Sequence, residues 1–416
     1  MSQIIVAMLV GTIVYAVCQA WVIRQFRNRY SRPAPTWPTN KPWPRAAIVL
    51  SLRGGDPFLT SCLEHLLKQD YPNFLIQIVI DSESDPAWDS IRAVRVRFGQ
   101  ESLKVSVLHR RISTCSLKNS SIIQAVESLP LDCEVVAFVD ADAVVHSGWL
   151  RELIAPLADP EVGGCSGVRW FAPTDRSFGS KLRCHWNLVA ASMMYVTDTP
   201  WGGSMCVRRS ILDSGLTKEW SRMLCEDVHT YNHLQERGLK LAYAPNATVV
   251  NRESISTVDC FRFVNRQMLF YGLYHRHWKY LAAYITFAAA LSFAYLFFLV
   301  SAAIHCDWAA CLTLFCIRKI ILLTTRYEGA KLDQAVREVV TSNSQTITKN
   351  PLPGNFGFTC TQVLFLTSML CSFAARFVSW RGIRYRIKGP NEITLESYRP
   401  YIAARARFGS NQSTVV

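Results

Sequence analysis

The sequence predicts an α/β domain with a doubly wound, mostly parallel sheet, carried by an amino-terminal membrane anchor and carboxyl-terminal transmembrane helices. Three observations lead there. Between about 46 and 139, apolar runs of strand length alternate with segments of helical period. Apolar runs as long as a bilayer core requires stand at about 4–23, 280–304 and 358–379. Strand-like runs also finish in acids, most plainly VVAFVDADAVV at 135–145, and in open parallel sheets such ends open into the ligand crevice.

Taken in order, the first apolar run has no charged region before it and no clear small-residue cleavage site, so it reads as a retained anchor rather than a signal peptide. Residues 1–24 are assigned to it. Arg24, Arg27, Arg29, Arg32, Lys41 and Arg45 follow without an acid among them, in a basic, proline-rich linker over 25–45. The formal charge of +14 thus gathers beside apolar spans, as it does on the cytoplasmic face of membrane proteins. No aromatic-basic motif accompanies it, so nucleic acid is not an expected partner.

AAIVLSL at about 46–52 reads as the first strand and ends in Arg53-Gly54-Gly55-Asp56-Pro57, a turn. A helix over about 57–69 follows, with Leu59, Cys62, Leu63, Leu66 and Leu67 at helical spacing, and Tyr71-Pro72 ends it. FLIQIVI at about 74–80 is the second strand, closed by Asp81-Ser82-Glu83-Ser84-Asp85. A helix near 87–98, a strand KVSVL, a helix around Asn119–Glu127 and the strand VVAFV complete the series. Beyond it come a strand GVRWF, an amphipathic stretch from Phe178 to Met194, the turn Trp201-Gly202-Gly203-Ser204, and Leu224-Cys225-Glu226-Asp227-Val228-His229. The α/β domain is placed at 46–278, a membrane region at 279–380 and a basic tail at 381–416. Within the membrane region, 307–324 is a span or an interfacial helix, because Arg318 and Lys319 interrupt it. The 14 cysteines are scattered singly, several inside apolar runs, which suits buried free thiols rather than a disulfide scaffold.

Three acidic sites carry the chemistry: Asp81 with Asp85, Asp140 with Asp142, and Glu226 with Asp227. Aspartates of this kind suit a hard divalent cation that keeps waters and is shared with phosphate oxygens. Such a cation clamps a pyrophosphate and stabilises charge as it leaves. Asp227 is then free to accept a proton from an attacking hydroxyl. An apolar run before D-x-D also occurs in haloacid dehalogenases, but that fold opens with the motif, and here two αβ layers precede it. Arg266 suits a bidentate contact with the leaving diphosphate.

LRGGDP at 52–57, QDYPNF at 69–74, IDSESDPAW at 80–88, SLKNSSI at 116–122, FVDADAVV, WGGSMCVRR at 201–209, CEDVHTY at 225–231, FVNRQMLFYGLYHRHW at 263–278 and SWRGIRYRI at 379–387 resemble an inverting family 2-type glycosyltransferase. The chain is most similar to the ceramide glucosyltransferase group and its bacterial relatives, over nearly its whole length except about 305–355. The resemblance implies a GT-A nucleotide-sugar domain facing the cytosol. It implies that Asp85, together with Asp81, holds the nucleoside, that Lys118 lies near the donor, and that Asp140 and Asp142 hold diphosphate through Mg²⁺ or Mn²⁺. Asp227 is the implied general base. The family's Gln/Arg-x-x-Arg-Trp motif is altered here: Arg266 fits, Gln267 replaces the Trp, and Phe263 takes the first place. That departure counts against a processive polysaccharide synthase. The expected protein is a multi-pass membrane enzyme that moves one hexose from a nucleotide sugar, a UDP-sugar first, to the hydroxyl of a lipid such as ceramide. A polysaccharide synthase, a polyprenyl-phosphate sugar transferase and a non-catalytic membrane scaffold are the rival readings.

Overall fold

A computed structural model describes residues 2–350 and 354–401. Its first helix, α1 (Ser2–Tyr30), runs past the expected end at residue 24. Tertiary packing explains the extension. Ile23, Phe26 and Tyr30 are buried in the same core as the sheet, and the Tyr30 hydroxyl meets Thr248 Oγ1 at 2.9 Å. Part of the expected linker is therefore a docked helix. The proline-rich stretch after it has neither helix nor strand, and Trp37 stacks on Trp43 there.

Seven strands follow: β1 (Ala46–Leu52), β2 (Phe74–Ile80), β3 (Lys104–Val107), β4 (Val135–Val139), β5 (Val162–Phe171), β6 (Ser204–Arg208) and β7 (Lys240–Asn251). Their order is β3-β2-β1-β4-β6-β5-β7. Parallel pairing joins β1 to β2 and β4, β2 to β3, and β5 to β7, whereas β6 is antiparallel to β4 and β5. Six strands thus share one direction and β6 alone opposes them. Helices α2 (Leu59–Leu67), α3 (Ala87–Phe98), α4 (Leu117–Glu127) and α5 (Trp149–Ile154) cover the two faces. Along β1, Ala47 and Val49 pack into the core that holds Ile122, Ile123 and Val126 of α4. Ala46, Ile48 and Leu50 point the other way, to Leu59, Leu63 and Leu66 of α2 and Ile91 and Val94 of α3. Burial on both faces is why β1, β2 and β4 read as nearly continuous apolar runs, with only Ser51 and Gln77 between the apolar residues.

Three more helices belong to the domain: α6 (Phe178–Val196), α7 (Asp227–Glu236) and α8 (Thr257–Tyr274). Ser177 caps α6 by accepting from the Ser180 amide, and Ser256 caps α8 by accepting from the Asp259 amide.

Beyond α8 come α9 (Trp278–Ile304), α10 (Trp308–Ser342) and α11 (Asn355–Ala374). With α1, these make four helices long and apolar enough to cross a membrane. The weak segment at 307–324 is the first half of the 35-residue α10. In its second half Leu332, Val336 and Val340, four residues apart, are buried in the core of the sheet domain. Glu328 of α10 takes Arg24 and Arg27 of α1 at 2.7 and 2.8 Å. Helix α11 lies against α6 and α8, with Trp186 beside Phe365.

Where a basic tail is expected from 381, the chain forms a three-stranded antiparallel sheet: β8 (Phe377–Trp380), β9 (Ile383–Gly389) and β10 (Glu392–Ser397). Strand β9 buries Ile383, Tyr385 and Ile387 and exposes Arg384, Arg386 and Lys388. That alternation carries the basic charge on one face. Residues 402–416 of the expected tail lie outside the described residues.

Candidate active site

Because β1, β2, β4, β5 and β7 point the same way, their carboxyl ends meet at one edge of the sheet. They deliver Arg53, Asp81, Asp140 with Asp142, Arg169 and Asn251 there. The first turns of α4 and α7 add Lys118 and Asp227, and α8 adds Arg266 and Gln267. One cavity is lined by Asp81, Lys118, Asp140, Asp142, Asp227, Arg266 and Gln267, joined by Arg53, Arg169, Glu226 and Arg381. Asp85 is not on that wall. Its buried carboxylate accepts from the Gly54 and Ala87 amides at 3.0 and 2.9 Å, holding the β1 loop to the start of α3. Asp81 does reach the cavity. One oxygen takes the Arg53 guanidinium and the Tyr398 hydroxyl, and the other, Oδ1, is buried without a partner among the described residues.

A lysine in the first turn of a helix opposes the macrodipole. Lys118 is held there by two carboxylates, Asp140 Oδ1 and Glu226 Oε1, both 2.7 Å from Nζ. Burial alone lowers the ammonium, but Asp140 and Glu226 outweigh it and hold the group above the ordinary lysine range. Burial likewise pushes the Asp140 carboxyl up, and the charge and hydrogen bond of Lys118 reverse this, leaving it lowered. Asp142 has no ion pair among the described residues; Asn251 Nδ2 donates to it at 2.7 Å. Burial and the Asp140 charge push its carboxyl up to about 6. Burial and Asp227 push Glu226 up to about 7 against the pull of Lys118.

The turn before β6 closes the acids in. A Cβ on Gly203 would stand 2.5 Å from Asp140 Oδ2 and 2.2 Å from Trp201 Cζ2. On Gly202 it would stand 2.1 Å from Glu226 Oε1. Glycine is needed at both places for close approach, and the Gly202 amide donates to Asp227 Oδ2 at 3.0 Å. Asp227 Oδ1 accepts the Val228 amide at 2.7 Å at the amino end of α7, where a negative charge is favoured.

Arg169 and Arg266 face the acids without an ion pair among the described residues. Burial lowers the Arg169 guanidinium, and burial with the neighbouring Arg169 and Arg381 charges lowers Arg266 to about 10. Arg266 lies over the Trp380 ring, 5.3 Å from its centroid. Sequence reasoning misses Arg169, Arg53, Trp380 and Arg381. Arg169 sits inside the GVRWF strand, and Trp380 and Arg381 inside SWRGIRYRI, so each reads as part of an element rather than as a wall of the site.

No cluster of three or more His, Cys, Asp or Glu able to hold a metal occurs among the described residues. Two half-buried carboxylates that repel each other still fit a hard cation that keeps waters and phosphate oxygens as its remaining ligands.

A second cavity adjoins the first. Met193, Met194, Val189, Leu281, Ile285, Phe365 and Tyr271 line it, between α6, α8, α9 and α11. Arg169, Trp201, Asp227, Gln267 and Phe270 lie on both cavities. A third shares Val189, Tyr284, Ile285 and Phe365 with the second and reaches Tyr15 and Gln19 of α1. A charged chamber therefore leads past Asp227 into apolar space within the helices.

The fold has solved counterparts. A mannosyltransferase, PcManGT from Pyrobaculum calidifontis, in complex with GDP-Man and Mn²⁺, superposes with a TM-score of 0.52 at 16% identity, over 89% of this chain and 98% of that one. Residues 1–349 of S. aureus TarS align with a TM-score of 0.37 at 13% identity, over 85% of this chain and 100% of that one. The glucosyl-3-phosphoglycerate synthase of Mycobacterium tuberculosis, in complex with phosphoglyceric acid, aligns with a TM-score of 0.36 at 12% identity, over 57% and 87%. At the level of sequence, residues 4–393 match the family described as glycosyl transferase family 21. With nearly the whole chain matched and the acids gathered at the edge of a GT-A-type sheet, the chain belongs to glycosyl transferase family 21 and is a glycosyltransferase.

Proposed function

We propose that this chain is a membrane-bound, inverting enzyme that moves one hexose from a nucleotide sugar to the hydroxyl of a lipid such as ceramide. The observation that carries the reading is the position of Asp227, where the charged cavity meets the apolar one. A donor in the first and an acceptor in the second meet at that carboxylate.

On this reading Asp81 presents its unpartnered Oδ1 to an N–H of the nucleobase, a UDP-sugar being the first candidate donor. Asp85 acts one step back, by holding the Gly54 loop. Asp140 and Asp142 would hold a Mg²⁺ or Mn²⁺, which supplies charge neutralisation on the diphosphate as it leaves. Arg266 and Arg169, without an ion pair among the described residues, face the same phosphates, and Gln267 stands where they meet the acceptor. Lys118 keeps Asp140 ionised and turned toward them. Asp227 takes the hydroxyl proton as the oxygen attacks the anomeric carbon from the side away from the diphosphate, which inverts that centre. The lipid chain lies in the apolar space between α6, α8, α9 and α11, so the acceptor need not leave the bilayer.

The catalytic domain is assigned to residues 46–278 together with the sheet over 377–397. Arg24, Arg27 and Arg29 at the end of α1 favour the cytoplasmic side for this domain. Both the second half of α10 and the β8–β10 sheet rest on that domain, so the crossings after residue 278 come to an even number. Helices α9 and α10 make the pair, and α11, laid along α6 and α8, stays at the surface. Of the two readings open for 307–324, a span or an interfacial helix, this proposal takes the span, and it takes 358–379 as lying at the surface instead of crossing.

The test is release of nucleoside diphosphate from a panel of nucleotide sugars by detergent-solubilised protein, with Mn²⁺ or Mg²⁺, with and without ceramide or diacylglycerol. Turnover that requires metal and one lipid is expected. Absence of metal-dependent donor binding or turnover with every donor would return weight to the scaffold, and a phosphate-linked or polymeric product would replace the acceptor.

A further inference from the structure

The sheet at 377–397 does more than continue the chain. Its β8–β9 hairpin turns on two residues, Arg381 and Gly382, with φ of 45° and 78°. Two-residue turns with both φ positive favour Asn, Asp or Gly at the first place. An arginine there is held against local preference, and such positions cluster where a side chain has work at a ligand. The tip enters the donor cavity. Arg381 Nη1 donates to the Arg53 carbonyl at 2.6 Å, while Arg53 Nε donates to the Arg381 carbonyl at 3.0 Å. This reciprocal tie fixes the tip to the end of β1. The second nitrogen, Nη2, forms an ion pair with the buried Asp56 Oδ2 at 3.6 Å, longer than a hydrogen bond, so its N–H groups stay open to a closer acceptor in the cavity.

The residue before it, Trp380, lies under the Arg266 guanidinium and packs on Phe270 of α8 at 6.1 Å. A planar guanidinium on an aromatic face keeps its edge donors free for a ligand in the plane. Further along, the Tyr385 hydroxyl accepts the Leu117 amide at 3.1 Å, beside Lys118, and the Tyr398 hydroxyl reaches Asp81. The hairpin tip, Tyr385 within the sheet and Tyr398 just after it thus touch three sides of the chamber.

We propose that the carboxyl-terminal sheet completes the donor site: Arg381 binds the diphosphate beside Arg266, and Trp380 is the positioning residue that holds the Arg266 guanidinium in plane. The proposal rests on the donor reading above. It assigns the charge contributed by 381 to the phosphates and not to the nucleoside.

The test uses the full chain in detergent, with UDP and GDP plus Mn²⁺ as probes and uridine and guanosine as controls. Arg381→Gln keeps a donor for the Arg53 carbonyl and removes the charge. It is expected to weaken nucleoside diphosphate binding about ten- to a hundred-fold, to leave nucleoside binding unchanged, and to raise the donor KM more than it lowers kcat. Arg381→Lys should recover most of the loss. Trp380→Ala should weaken diphosphate binding several-fold, and Trp380→Phe should restore it by returning an aromatic face. Binding of UDP and GDP within two-fold of wild type in Arg381→Gln, with wild type binding one of them, would overturn the proposal and leave the sheet a structural element. Failure of wild type to bind either probe with metal would instead sink the donor reading on which it rests. Equal losses of nucleoside and diphosphate binding would also overturn it, since a general loosening of the cavity has that signature.

Discussion

Asp142 holds the strain of the site in one carboxyl group. It is half-buried beside Asp140 with an amide for company, and desolvation and the Asp140 charge push its carboxyl up to about 6. A group raised in this way makes the metal-free protein less stable at neutral pH, where the carboxylate is ionised, and the penalty fades as pH falls through about 6. Asp142→Asn keeps the acceptor for Asn251 and removes the charge. Its metal-free form should be more stable than wild type at pH 7.5, by about 2 kcal/mol at most. The rise in melting temperature that wild type gains from Mn²⁺ should vanish in the same variant. Melting curves with and without Mn²⁺ check both, and a metal-free loss of stability would show that the pair does not repel as described. Asp227→Asn should cut transfer about 10²- to 10⁴-fold with little change in nucleotide binding, measured as kcat against the dissociation constant for UDP or GDP. Transfer unchanged in this variant would remove Asp227 from the mechanism.

Among the elements, the turn before β6 and the end of α8 lend themselves to measurement. Gly203→Ala would put a methyl group into Asp140 and Trp201. The strand beyond is anchored by its pairing to β4 and β5, so the domain should fold while metal-dependent turnover falls at least ten-fold. Circular dichroism together with the diphosphate-release assay separates the two effects. After α8, His275 is stacked between Tyr231 and Tyr271, 5.3 and 4.4 Å away between ring centres. Burial, helped by the His277 charge, lowers it to about 4. The unfolded chain therefore binds the proton first. Stability is whole above about pH 6.5, declines by about 1.4 kcal/mol per pH unit as pH falls toward 4, and then levels. His275→Asn, whose amide oxygen can still accept from the His277 amide, should flatten that slope relative to wild type in thermal melts between pH 4 and 7.

Elements with an internal period are legible in the sequence itself. Strands β1, β2 and β4 fall where their apolar runs stand, because a strand buried on both faces has few polar residues to blur its ends. The same runs lead to Asp81, Asp140 and Asp142. What stays hidden depends on contacts distant in sequence. The apolar stripe of Leu332, Val336 and Val340 is diluted by charges that face away, and the alternation Ile383, Tyr385, Ile387 is masked by arginines that read as a tail. Arg169 and Arg381 look ordinary in the sequence, since only the fold shows that their charges face two acids.

At the scale of the whole molecule, the path of the chain across the bilayer is open to a direct test. The turn between α9 and α10 exposes Cys306, whereas the catalytic domain and the carboxyl-terminal sheet are proposed to share the other side. In a variant with the other cysteines replaced, a membrane-impermeant thiol reagent should label Cys306 from outside spheroplasts. A cysteine introduced at Ser344 should be protected there and become reactive in inverted vesicles. Labelling of both from one side would contradict two crossings between them.

Helix α10 carries a last consequence. Its 35 residues measure about 52 Å, and on the proposed topology a hydrocarbon core takes about 30 Å of it, leaving roughly the last 20 Å clear, where Leu332, Val336 and Val340 pack into the sheet domain. The helix is both mast and footing. Together with α1, locked to it by Glu328, it sets the height of Asp227 over the lipid instead of letting the domain float at whatever level the headgroups allow. If the acceptor is the lipid proposed above, bilayer thickness then becomes a kinetic variable: in thicker membranes a fixed reaction plane should meet the acceptor hydroxyl less often, while the water-borne donor arrives as before.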